Sequence, residues 1–102
     1  MTRALLMVDY GDGRGPKCVA RYRTARTADE RHQLGNWAGH RLSCLGVIDT
    51  PWWLVEAENA DAARGTILLH QNPPPVGEAF TTTFPIGHII ESGGMDWQAG
   101  AR

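Results

Sequence analysis

LGVIDTPWWLVEAENADAARGTILL, residues 45–69, is the stretch whose reading decides the fold. Asp49-Thr50-Pro51 separates two apolar, β-branched runs, and proline suits a turn because its φ is already fixed. After Glu58 the period changes. Asn59 is a good helix N-cap, Asp61 falls in the first turn, and Ala63 and Ile67 share a helical face. The stretch therefore reads as strand, tight turn, strand and helix, with the helix packing back on the hairpin. It contains no catalytic or cofactor signature.

Working outward, the 102-residue length predicts one domain, residues 1–91, followed by a Gly-rich tail, residues 92–102. Hydrophobic residues make up 42% and charged residues 21%, a globular balance that argues against disorder. The formal charge of -1 gives no overall reason to bind nucleic acid or an anionic membrane. The local basic run Arg14, Lys17, Arg21, Arg23, Arg26 and Arg31 reads as a solvated helix face. No apolar run reaches the length of a signal peptide core or a membrane span, since Asp9 ends Leu5-Leu6-Met7-Val8. A cytoplasmic protein with two free thiols, Cys18 and Cys44, is expected.

ALLMVDY, residues 4–10, reads as a first strand, apolar enough to be covered on both faces. The loop Gly11-Asp12-Gly13-Arg14-Gly15-Pro16 lacks phosphate-loop spacing. Helical character is expected from Pro16 onward. Its cleanest start is Thr27-Ala28-Asp29-Glu30, a capping box that leads into Leu34, Trp37 and Ala38, with Gly39 as the stop. Leu42 to Asp49 is then a second strand, Trp52 to Glu58 a third and Ala60 to Gln71 a second helix, ended by Pro73-Pro74-Pro75. Glu78 to Ile86 alternates as a fourth strand, and His88 to Glu91 is a last extended piece.

The resulting order, β-α-β-β-α-β, predicts an α+β, ferredoxin-like fold: a four-stranded antiparallel sheet with two helices on one face. Trp53, Val55, Ala57, Phe80, Phe84 and Ile86 are assigned to the covered face. Leu5, Met7, Asp9, Trp52, Leu54, Glu56, Thr81 and Thr83 are left on the other. That mixed surface predicts a homodimer built through the open sheet face, with polar groups lining a cavity.

The segment LVEAENADAARGTILLHQNPPPVGEAFTTTFPIG resembles the second half of YCII-related domains, members of the dimeric α/β barrel superfamily. The shared pattern, over Leu42 to Gly87, is a strand ending in an acidic residue, an Ala- and Arg-led helix, a Pro-containing break and a final strand. The resemblance implies a barrel of two sheets with a cleft on each protomer. It also implies an acid/base pair, a His near the first helix and an Asp before proline after the second. His32 occupies the first place. Asn72 before Pro73 occupies the second, where it cannot take a proton at neutral pH.

Candidate chemistry follows from these faces. Asp9 ends an apolar strand, as polar ligand-facing groups in α/β sites often do, but it also starts the turn into Gly11. Glu56 is a carboxylate within a strand, and one of the adjacent Trp52 and Trp53 must face the open side. His32, Asp9 and Glu56 are the candidate catalytic groups, with Trp52, Thr81, Thr83 and Asn72 as candidate ligand contacts. No HExxH, HxH or His-Cys spacing is recognised among His32, His40, His70 and His88, so neither a metal nor a cofactor is expected. Two functions remain open: a small-molecule site in a barrel cleft, of the cofactor-independent isomerase, lyase or hydrolase kind, and a non-catalytic dimeric binding or accessory module.

Overall fold

The structure, a computed structural model, describes residues 2–47, 49–71 and 87–94. Its elements are β1 (Arg3–Val8), β2 (Lys17–Tyr22), α1 (Ala28–Leu45), β3 (Trp52–Ala57), α2 (Ala60–Gln71) and β4 (His88–Gly93). The fold is α+β: four antiparallel strands in the order β2-β1-β3-β4 with two helices, consistent with the ferredoxin-like class. The chain order is β-β-α-β-α-β, so the expected β-α-β-β-α-β sequence of elements is corrected.

Two local causes account for the difference. Residues 9–16 turn the chain back sharply. Gly11, Gly13 and Gly15 all take positive φ, where residues with a Cβ are strained. Lys17–Tyr22 is thereby laid along β1 as a strand, paired Leu6 to Ala20 and Met7 to Cys18 with an irregularity between them, instead of starting a helix. The second cause is the end of α1. Gly39 keeps the helix running, at an expected penalty of about 1 kcal/mol relative to Ala. Continuing lets Leu42 join Leu34 and Ala38 on one buried stripe, and burying a Leu side chain offsets more than that, about 1.5–3 kcal/mol. The true stop is Gly46, at φ 70° and ψ 27°. There the Gly46 amide donates to the Ser43 carbonyl and the Val47 amide to the Leu42 carbonyl, a Schellman closure. The segment expected as a second strand thus supplies the last turn of a helix.

Both expected N-caps form, although the Glu30 side chain reaches back to the amide before the cap, that of Arg26, instead of the Thr27 amide. The Glu30 amide donates to Thr27 Oγ1 at 3.1 Å, and Glu30 Oε2 accepts from the Arg26 amide at 2.6 Å. Asn59 Oδ1 accepts from the Ala62 amide at 2.8 Å, which caps α2.

β1 sets the layering. Ala4, Leu5, Leu6, Met7 and Val8 are all buried, so the sheet is covered on both sides. Ala4, Leu6, Val8 and Leu54 pack with Leu34, Ala38 and Leu42 of α1. Leu5, Met7, Trp53, Val55 and Ala57 pack with Ala63 and Ile67 of α2. The helices therefore lie on opposite faces, a correction to the expectation that both cover one. Leu54, assigned above to an open face, is fully buried under α1. The strand expected at Glu78 to Ile86 lies outside the described residues. The fourth strand of the sheet is the later piece, His88–Gly93.

Its attachment is tight at both ends. Thr66 Oγ1 donates to the Ala62 carbonyl at 2.8 Å and accepts from the Gly87 amide at 2.9 Å, fastening α2 to the start of β4. A Cβ on Gly87 would lie 2.5 Å from the Glu56 carbonyl oxygen, and one on Gly93 would lie 2.7 Å from the Trp52 ring. The Trp52 ring thus packs directly over Gly93.

Two outcomes follow. Leu54→Lys should abolish folding of the single chain, because it places an unpaired charge in the core. Circular dichroism of an unfolded variant supports the two-sided sheet; a folded variant that has merely lost a partner contradicts it. Asn59→Ala should cost about 1 kcal/mol and Ile67→Ala about 2–5 kcal/mol in denaturant unfolding. Equal, small losses from both would mean that α2 does not pack as described.

Candidate functional site

The candidate groups divide between the two ends of the sheet. Asp9 and Trp52 lie at one end, where Val8 pairs with Trp52 and the Asp9 amide donates to the Pro51 carbonyl at 3.0 Å. The Asp9 carboxylate is engaged locally, since its Oδ1 accepts from the Gly11 amide at 2.9 Å. This is the turn role weighed against a ligand role above. Glu56 lies toward the other end of β3, opposite Ala4 and His88. Four residue steps along the strand separate it from Trp52, about 13 Å. His32 is exposed on α1. One cleft therefore does not collect Asp9, Trp52 and Glu56. Thr81, Thr83 and Asn72 lie outside the described residues.

Glu56 gains a neighbour from β4. Residues directly opposite in an antiparallel ladder share a face, so Glu56 and His88 share the α1 side of the sheet. Glu91 joins that side: a Cβ on Gly35 of α1 would come 3.0 Å from its Oε2. The irregularity between Leu54 and Val55 in the β3–β4 pairing brings this about. Among the described residues no group of three or more His, Cys, Asp or Glu side chains is placed to hold a metal ion.

The flank of α1 over the edge strand β2 carries a second group of side chains. Tyr22, on the outermost strand of the described sheet, stacks on Trp37 with ring centroids 6.2 Å apart and an interplanar angle of 27°. Its hydroxyl lies 3.5 Å from the Trp37 carbonyl oxygen, as donor to it. Partial burial holds the Tyr22 phenol above its ordinary pKa, opposed by the positive charge of Arg41. Trp37 remains 48% exposed and Leu45 41% exposed. Between them along the helix, the Cys44 thiol lies 3.5 Å from His40 Nε2. The absence of a His-Cys spacing noted above is thus corrected. The four-residue step from His40 to Cys44 puts both on one helical face, a signal hidden when the helix is ended at Gly39.

The basic run is dispersed. Lys17 pairs with Asp12 at 3.0 Å and stands 5.8 Å from the centre of the Tyr10 ring. Asp12 is held below the usual carboxylate range, first by its bond from Lys17 and then by the Arg14 amide. Arg64 pairs with Asp61. Both cysteines are free, and no helix among the described residues is long and apolar enough to cross a membrane.

Compared with protein-family models, curated proteins and solved structures, the chain matches none.

Tyr22 gives this region a titration signature. A phenol whose folded pKa is raised contributes stability that is fully present below the unfolded tyrosine pKa and lost as pH rises through the folded value. In a Tyr10→Phe background, the remaining phenol should ionise above the usual tyrosine range by ultraviolet absorbance. Trp37→Ala should bring that ionisation back down, and an unshifted titration in the parent would contradict the packing described.

Proposed function

We propose that this chain is a non-catalytic binding or accessory module that works as a homodimer, with the flank of α1 that carries Trp37 as the contact. The observation that carries the reading is Trp37, a large apolar side chain that stays 48% exposed on the flank of a helix whose sheet-facing stripe of Leu34, Ala38 and Leu42 is already buried. An aromatic side chain left this exposed beside a sheet edge favours association. The adjoining strand β2 adds an edge unpaired among the described residues, bearing Lys17 and Arg21, whose charges discourage open-ended sheet pairing.

The dispersal of the candidate groups supports the non-catalytic choice. Proton transfer needs its acid and base within reach of one substrate. Asp9 is engaged in its turn and stands at the opposite end of the sheet from Glu56. A barrel of the kind that the resemblance to YCII-related domains implies needs an uncovered sheet face. Each face of the described sheet carries a helix, which supports a contact through α1 over one through an open sheet face.

A second reading, a small-molecule site with acid–base chemistry of the isomerase, lyase or hydrolase kind, has one observation in its favour: the shared face of Glu56 and His88, with Glu91 beside them. A substrate-panel turnover lost in Glu56→Gln would favour it.

Sedimentation tests the first reading. The parent chain should be a dimer at micromolar concentration, with an interface on the order of 1,200–2,000 Å². Trp37→Glu should sediment as a folded monomer. A parent chain that is monomeric under these conditions would sink the proposal.

A further inference from the structure

We propose that His40 and Cys44 are half of a tetrahedral site for a thiophilic divalent cation, with zinc as the reference ion, and that the same pair on a second copy of this chain supplies the other half. The inference rests on the α1 dimer just described and specifies what holds its centre.

The geometry fits a metal edge. Zinc binds thiolate sulfur at about 2.3 Å and imidazole nitrogen at about 2.0–2.1 Å, so a tetrahedral angle sets the sulfur-to-nitrogen edge at about 3.6 Å. The Cys44 Sγ to His40 Nε2 separation is 3.5 Å. Both side chains are on an exposed helical face, four residues apart, so one ion meets both without bending the backbone. Cys is among the residue types most often buried, and an exposed thiol facing an imidazole nitrogen is out of keeping with a packing role.

The site is incomplete in one chain. Structural zinc takes four protein ligands, and among the described residues no third His, Cys, Asp or Glu side chain joins this pair. A two-fold axis passing close to the pair would complete the set as Cys₂His₂. One flank suits that contact: Trp37, large, apolar and partly exposed, lies one turn before His40 on the same side of the helix. Its burial against a second copy would help exclude water from the ion and add to its hold on the dimer.

The chemistry balances simply. Cys44 binds as thiolate and its proton passes to solvent. His40 binds neutral through the Nε2 lone pair, with its proton on Nδ1. No electron is transferred.

The test uses the full chain, stripped with chelator and titrated with cobalt(II) and then zinc. The parent chain should show thiolate-to-cobalt charge transfer and the intense visible bands of tetrahedral cobalt, saturating at one ion per two chains, with zinc displacing both. Chelator should weaken dimerisation by about tenfold or more. Cys44→Ser and His40→Ala should lose the bands while keeping their circular dichroism, and Cys18→Ser should retain them. Absence of charge transfer, saturation at one ion per chain without a change in mass, or loss of the bands in Cys18→Ser would each overturn the metal site. A dimer that persists unchanged under chelator without cobalt bands overturns the metal site and leaves the α1 dimer standing. A monomer at every metal level overturns both.

Discussion

The rest of the structure depends on the burial of β1 from both sides. Five consecutive apolar residues, Ala4 to Val8, point alternately up and down, and none of them reaches water. At about 1.5–3 kcal/mol for each large side chain, leaving either side open would forfeit much of a small domain's marginal stability. A central strand of this kind needs a helix above and a helix below. α1 meets Ala4, Leu6 and Val8, and α2 meets Leu5 and Met7. The same constraint fixes β3, where Leu54 turns to α1 while Trp53 and Val55 turn to α2.

The unbroken apolar run of the first strand calls for cover on both faces, which two helices on one face do not give. Local chemistry was legible where the responsible groups are neighbours in sequence. Thr27 with Glu30 and Asn59 with Ala62 are such cases, as are Ala63 and Ile67 on the face of α2. It failed where two glycines offered the same signal. Gly39 and Gly46 both fit a helix stop, and what separates them is the tertiary gain from burying Leu42, which local propensity does not contain. Likewise, Lys17–Tyr22 has no strong period of its own. It becomes a strand because the three positive-φ glycines before it return the chain to the edge of β1.

The misplaced helix end had a consequence for the candidate site. With α1 ended at Gly39, His40 and Cys44 fall in a loop and a strand and have no reason to meet. With α1 continued to Leu45, they stand one turn apart at 3.5 Å. Asp9 shows the opposite case. Its place at a strand end was legible, and so was the competing turn role, which a single hydrogen bond from Gly11 fulfils. The register that sets Glu56 opposite His88 depends on an irregularity in a pairing between distant segments, beyond the reach of sequence periodicity.

The layering itself is open to direct measurement by methyl nuclear Overhauser contacts in the labelled chain. The account predicts contacts from the Leu42 methyls to the set of Leu6, Val8 and Leu54, and from the Ile67 methyls to the set of Leu5, Met7 and Val55, with no crossing between the sets. Contacts from both Leu42 and Ile67 to Val55 would place the two helices on one face of the sheet and contradict it.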